Sequence, residues 1–180
     1  MPTCPGHSHQ ELLSLSRHVD QVGHDTDWGE SKDMEPSLAA IGIELVNQGG
    51  ARTVIGLCLE HVAKFEPTLS GLYGNRIERA IWDQAPPQLR EHLAPIFNAG
   101  EDSVSGSNWL VMGRATPIDV DVDDDLESFV ACIRGIGDLE YCNLGVYNGS
   151  VVLVDYGERT AEPLDFAPLA FEEAAASPGL

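Results

Sequence analysis

The sequence predicts an α+β fold, and three observations carry that prediction. Three β-prone runs follow one another between residues 41 and 67 with short breaks, as in an antiparallel meander. Helical patterns fall between groups of strands rather than alternating with single strands, which argues against a parallel βαβ sheet. Asn148-Gly149 joins two short apolar runs, and this dipeptide is a strong hairpin signal because both residues tolerate positive φ.

The elements can be justified in order. Leu12, Leu13, Leu15, Val19 and Val22 recur at helical spacing within residues 9–24, so a short amphipathic helix is expected there. Residues 25–37 are polar and turn-rich and read as a linker. IGIELV, ARTVIGLCL and HVAKFEP supply the three strands, with Gly49-Gly50 between the first two. Residues 75–84 put Ile77, Ala80 and Ile81 on one side and charges on the other. That helix should stop at Pro86-Pro87, with a second short helix at 88–93. Strands are expected at 94–98 and 109–112 around a Gly- and Ser-rich loop at 100–108. The acid run 118–125 reads as a solvated loop that caps a helix over 125–136. It lacks the glycine and distal glutamate of an EF-hand loop, which argues against calcium. The hairpin strands are 144–147 and 150–154, and the tail carries a helical pattern over 166–175.

Composition narrows the class. The 180 residues fit one domain, and with 43% of them apolar they suffice to build a core. No run of 18 apolar residues or secretory leader is visible, so a cytoplasmic protein with no membrane partner is expected. Acidic residues number 29 against 10 basic ones, a net charge of -19; such a surface repels nucleic acid. Only Lys32 and Lys64 are lysines. An acidic, lysine-poor chain resembles proteins of salt-loving archaea or their viruses, where molar salt screens self-repulsion; an acidic mesophilic protein is the other reading. Cys4, Cys58, Cys132 and Cys142 form no CxxC pair and read as reduced structural thiols. Cys4, His7 and His9 fall short of a four-ligand zinc set and read as a frayed terminus.

The segment 138–157, DLEYCNLGVYNGSVVLVDYG, carries the chemistry. A hairpin folds its ends together, so Asp138 and Asn143 before it should meet Asp155 after it. Two carboxylates and an amide oxygen suit a hard divalent cation that also holds phosphate oxygens. The apolar strand 151–154 would hold Asp155 in place.

Asp, four residues, Asn, a hairpin and then Asp155-Tyr156-Gly157 resemble the catalytic loop and metal-binding turn of the protein-kinase-like superfamily. Aminoglycoside and choline kinases, and short virus- or haloarchaea-encoded kinase-like proteins, are similar in this stretch. Upstream, Val62-Ala63-Lys64 resembles the family's strand lysine, and Glu78 stands on the next helix where its partner is found. Residues 45–54 are similar to the glycine-rich turn, with Gly49 and Gly50 near phosphates. Residues 109–116, including Met112, resemble the hinge that meets adenine. The resemblance implies ATP and Mg2+ as cofactors. Lys64 and Glu78 would form the phosphate clamp, Asn143 and Asp155 would bind the metal, and Asp138 would be the catalytic base.

It implies a kinase-like antiparallel N-lobe sheet with one main helix over 38–117. A reduced C-lobe over 118–157 would hold the catalytic loop and hairpin. Residues 1–37 would be an N-terminal helix and linker, and 158–180 an acidic tail. The sequence departs from the family pattern in several places. Gly135-Ile136-Gly137 precedes Asp138 where many protein kinases have His-Arg, the GxGxxG spacing is incomplete, and only residues 158–180 follow Gly157. An ATP/Mg-dependent phosphotransferase with a small-molecule or protein acceptor is therefore one expectation. A pseudokinase-like module that binds nucleotide, or docks a partner through 9–24 or the tail, is the second. An accessory protein without a ligand is the third.

Overall fold

A computed structural model describes residues 7–25, 34–49, 52–67, 74–118 and 143–156. Helix α1 spans His9–Asp25 and α2 spans Met34–Ala40. Strands β1 (Glu44–Gly49), β2 (Arg52–Gly56) and β3 (His61–Glu66) follow, then helices α3 (Gly74–Gln84) and α4 (Pro87–Arg90). Strands β4 (Ile96–Glu101), β5 (Asn108–Gly113) and β6 (Thr116–Pro117) precede the hairpin of β7 (Leu144–Tyr147) and β8 (Ser150–Leu153). The fold is thus α+β with antiparallel sheets: five strands in the order β1-β2-β3-β5-β4, and three in the order β6-β7-β8.

The central strands are buried on both faces, and the two-residue period of a strand divides their side chains between two cores. Ala63, Phe65, Trp109 and Val111 point to one side, where Leu12, Val19 and Val22 of α1 and Met34 and Leu38 of α2 cover them. Val62, Leu110 and Met112 point to the other, against Ile81, Ala85, Leu89, Leu144, Val152 and Leu153. Helix α1 starts at a capping box: the Glu11 carboxylate accepts from Ser8 N at 2.7 Å, and Glu11 N donates back to Ser8 Oγ at 3.2 Å. This satisfies orphan donors of the first turn. Arg17 anchors the same helix to Asp102 (2.8 and 3.2 Å) in the turn between β4 and β5. The apolar stripe read at 9–24 is therefore committed to the sheet.

Several expectations are corrected. Residues 34–37 are not linker but the start of α2, because Met34 and Leu38, four apart on one helix face, are both fully buried. The short second helix lies at 87–90 rather than 88–93, with Pro87 in its first turn, where a missing N–H costs nothing. The fourth strand runs 96–101 rather than 94–98. Residues 94 and 95 instead make cross-links, Ala94 N donating to Leu153 O (2.9 Å) and Pro95 O accepting from Gly113 N (2.9 Å). Cys58 is disulfide-bonded rather than a reduced thiol; separation along a chain does not limit approach in space, and the other three cysteines lie outside the described residues. The zinc question loses Cys4 in the same way, and His9 packs its ring on Trp109 at 5.2 Å.

Gly49 pairs with Arg52 across the β1–β2 hairpin, so Gly49 is a strand end and the connection is residues 50 and 51. Asn148 (φ 51°) and Gly149 (φ 85°) both adopt the left-handed conformation that a two-residue hairpin turn requires. Gly100 faces Trp109 across β4–β5; a Cβ there would lie 2.2 Å from the indole. The acid run from residue 119, the helix expected at 125–136, and the tail lie outside the described residues. Among the described residues no helix is long and apolar enough to cross a membrane.

Candidate functional site

The site grows from the start of α3. Glu66, fully buried at the end of β3, accepts the backbone N–H groups of Gly74 (3.0 Å) and Asn75 (3.1 Å). A carboxylate there meets two orphan donors and the positive end of the helix dipole. The Asn75 side chain donates to Lys64 O at 3.1 Å, fixing the helix to β3. One turn later Glu78 faces back onto the sheet. Its carboxylate accepts from Lys64 Nζ at 2.8 and 3.0 Å, and both side chains are buried. Lys64 Nζ also donates to Val154 O at 2.7 Å.

Arg52 completes the cluster. Register places Val54 opposite Lys64, so Arg52, two residues along β2, shares the face of Lys64. Its guanidinium donates to Glu78 Oε1 (2.5 Å) and to both oxygens of Asp155 (2.5 and 2.6 Å). Lys64 Nζ lies 3.9 Å from the nearer Asp155 oxygen. Two cations and two carboxylates therefore interlock. Asp155 follows β8 rather than sitting in it, and its neighbours hold it. Val154 gives its carbonyl to Lys64, and buried Tyr156 donates its hydroxyl to Ala94 O at 3.0 Å.

Electrostatics follow from burial and these partners. Burial pushes the Asp155 carboxyl up, but the charges of Lys64 and Arg52 outweigh it and hold the group at about 2. Burial raises the Glu78 carboxyl, opposed by Lys64 and then Arg52. Burial alone would lower the Arg52 guanidinium, and the charges of Glu78 and Asp155 raise it instead. Burial pushes the Tyr156 phenol far up, leaving it a donor.

Beside the cluster opens a cavity of about 240 Å³. Val54, Val62, Met112, Leu144 and others form apolar walls, and Lys64, Asn143 and Asp155 line it as well. Of the residues singled out from sequence, Lys64, Glu78 and Asp155 meet in the ion cluster, while Met112 and Asn143 share the cavity with Lys64 and Asp155. Gly49 is a strand end as described, and Asp138 and Gly50 lie outside the described residues. Arg52 and Glu66 were missed. Glu66 sits on the same strand face as Lys64, a signal that parity alone could have supplied; Arg52 needed the strand register.

A metal on Asn143 and Asp155 was the implied cofactor site. The two residues do line one cavity, yet both Asp155 oxygens already accept from Arg52. The guanidinium stands where a divalent cation would bind, so this arrangement does not fit a metal at Asp155. Among the described residues no group of three or more His, Cys, Asp or Glu gathers to hold one.

No family model matches the sequence, and no curated protein matches it. Among solved structures the chain is similar to WbdD. A co-crystal of WbdD with a kinase inhibitor aligns at 18% identity and a TM-score of 0.46, over 61% of this chain and 31% of that one. The bifunctional kinase-methyltransferase WbdD aligns at 18% and 0.44, over 63% and 31%. Monomeric WbdD aligns at 17% and 0.47, over 60% and 32%. The chain thus spans about a third of the length of the WbdD chains. At these identities and scores the likeness assigns no activity to this chain.

Proposed function

We propose that this chain is a kinase-like nucleotide-binding protein of the phosphotransferase type, with ATP as its nucleotide and a small molecule or protein as acceptor. The observation that carries the reading is the buried Lys64–Glu78 pair at the edge of an apolar cavity. Apolar walls with a few convergent polar groups suit a nucleotide base. The volume suits a base rather than a larger ligand, being below the roughly 300–1,000 Å³ of pockets for drug-sized molecules. In this reading Lys64 meets the phosphates, Glu78 holds the lysine in place, and Asp138 accepts the acceptor's proton. The test is a thermal-shift titration with ATP, with and without magnesium, on wild type and Lys64→Ala, followed by assay of phosphoryl transfer. Saturation at a hundred times Kd stabilises by about 2.7 kcal/mol. A folded wild type that ATP does not shift would sink the reading.

A second reading, nucleotide binding without catalysis, is favoured by Arg52 occupying both oxygens of Asp155. ATP binding with no transfer or hydrolysis in any acceptor screen would select it, and turnover lost in Asp138→Ala would exclude it.

A further inference from the structure

We infer that Arg52 takes the place of a divalent cation at Asp155, so that this site accepts the phosphates of a nucleotide without a metal. The inference rests on the nucleotide reading above and concerns the same site. Three observations support it. The guanidinium binds Asp155 through both carboxylate oxygens at 2.5 and 2.6 Å and reaches Glu78 as well at 2.5 Å. One guanidinium nitrogen, Nη2, meets both Asp155 oxygens while Nη1 meets Glu78, and hydrogen bonds between ionised partners are the strong ones. The cluster is also balanced: Arg52 and Lys64 neutralise Glu78 and Asp155, which leaves no net negative charge to attract a cation. Finally, Arg52 reaches the cluster from β2, opposite the hairpin that carries Asp155. It is largely buried yet retains 18% side-chain exposure. Lys64, not Arg52, is the cation of the cluster that lines the cavity.

A metal entering here would have to displace Nη2 from both Asp155 oxygens and then sit beside the displaced guanidinium. Truncating one partner of such a pair leaves the other exposed to that loss, and a strongly hydrated ion such as magnesium dehydrates reluctantly. Arg52 is a positioning group in this view, and Lys64 is the cation that meets the phosphates. Arg52 cancels at Asp155 the negative charge that would otherwise repel the phosphates.

The experiment is calorimetric titration of ATP into the full chain, once in EDTA and once in magnesium, for wild type, Arg52→Gln and Arg52→Lys. The wild-type Kd should agree within about twofold between the two conditions. Arg52→Gln should bind more than about tenfold more weakly in EDTA and regain affinity in magnesium, since Asp155 is then open to a metal. Arg52→Lys should fall between, as its single nitrogen cannot bridge Asp155 and Glu78 as the two guanidinium nitrogens do. Ligand-free melting curves establish that each variant is folded, and the wild-type comparison stands without any variant. Wild-type binding that occurs only with magnesium overturns the inference and spares the nucleotide reading. Binding by Arg52→Gln that matches wild type in EDTA overturns it too. A folded wild type that binds ATP in neither condition overturns both.

Discussion

Replacing Glu78 by alanine removes the acid that two cations share. Glu78 has no exposed surface, Lys64 keeps 7% of its side chain in water, and Arg52 keeps 18%. Solvent therefore screens the loss poorly. Arg52 retains Asp155, but Lys64 keeps only the Val154 carbonyl and an Asp155 oxygen at 3.9 Å. Breaking a buried pair by deleting one partner costs about 3–5 kcal/mol, set against about 5–15 kcal/mol of total stability for a domain. With a urea slope of about 1–3 kcal/mol/M, the unfolding midpoint should fall by one to several molar units, on that same scale. Equilibrium urea unfolding followed by tryptophan fluorescence measures it, with circular dichroism as the two-state check. The double replacement Lys64→Met, Glu78→Leu should cost less than Glu78→Leu alone, because no uncompensated charge stays buried. A Glu78→Ala cost below about 1 kcal/mol, the scale of an exposed ion pair, would refute the claim that the cluster is closed to water.

Further outcomes follow from the same geometry. The Asp155 carboxyl titrates at about 2 in the folded chain against an ordinary 3.8; being depressed, its contribution is full above about pH 4 and lost as pH falls through about 2. Acid titration of stability should therefore show a shallower loss in that window for Asp155→Asn than for wild type. Leu12, fully buried between α1 and the sheet, should cost about 2–5 kcal/mol when replaced by alanine; a loss under about 0.5 kcal/mol, typical of surface sites, would mean that α1 does not cover the sheet. Gly100→Ala forces a methyl into the Trp109 ring and should cost about 1–3 kcal/mol as overpacking, with a change in the near-ultraviolet signal of that tryptophan.

The α+β class was legible because period-two and helical patterns are local properties of the chain. The Asn148-Gly149 turn was legible for the same reason, since its demand for positive φ falls on two adjacent residues. Lys64 and Glu78 could be singled out because Val62-Ala63-Lys64 and the helix after it resemble the strand lysine and helix glutamate of kinase-like proteins, with Lys64 one of only two lysines. Helix α2 escaped because its single buried pair, Met34 and Leu38, sits in a polar stretch too short for periodicity to register.

What only the tertiary structure decided was the partnership. Arg52 looked like one residue of a β-prone run, since nothing along the chain joins it to Asp155, which lies 103 positions away. The register of β2 against β3 puts it on the face of Lys64, and the packing of the hairpin brings Asp155 within its reach. Sequence determined which residue types and which local conformations were available. The fold determined which charges neutralise one another, because ion pairing depends on distances in space that chain separation does not encode.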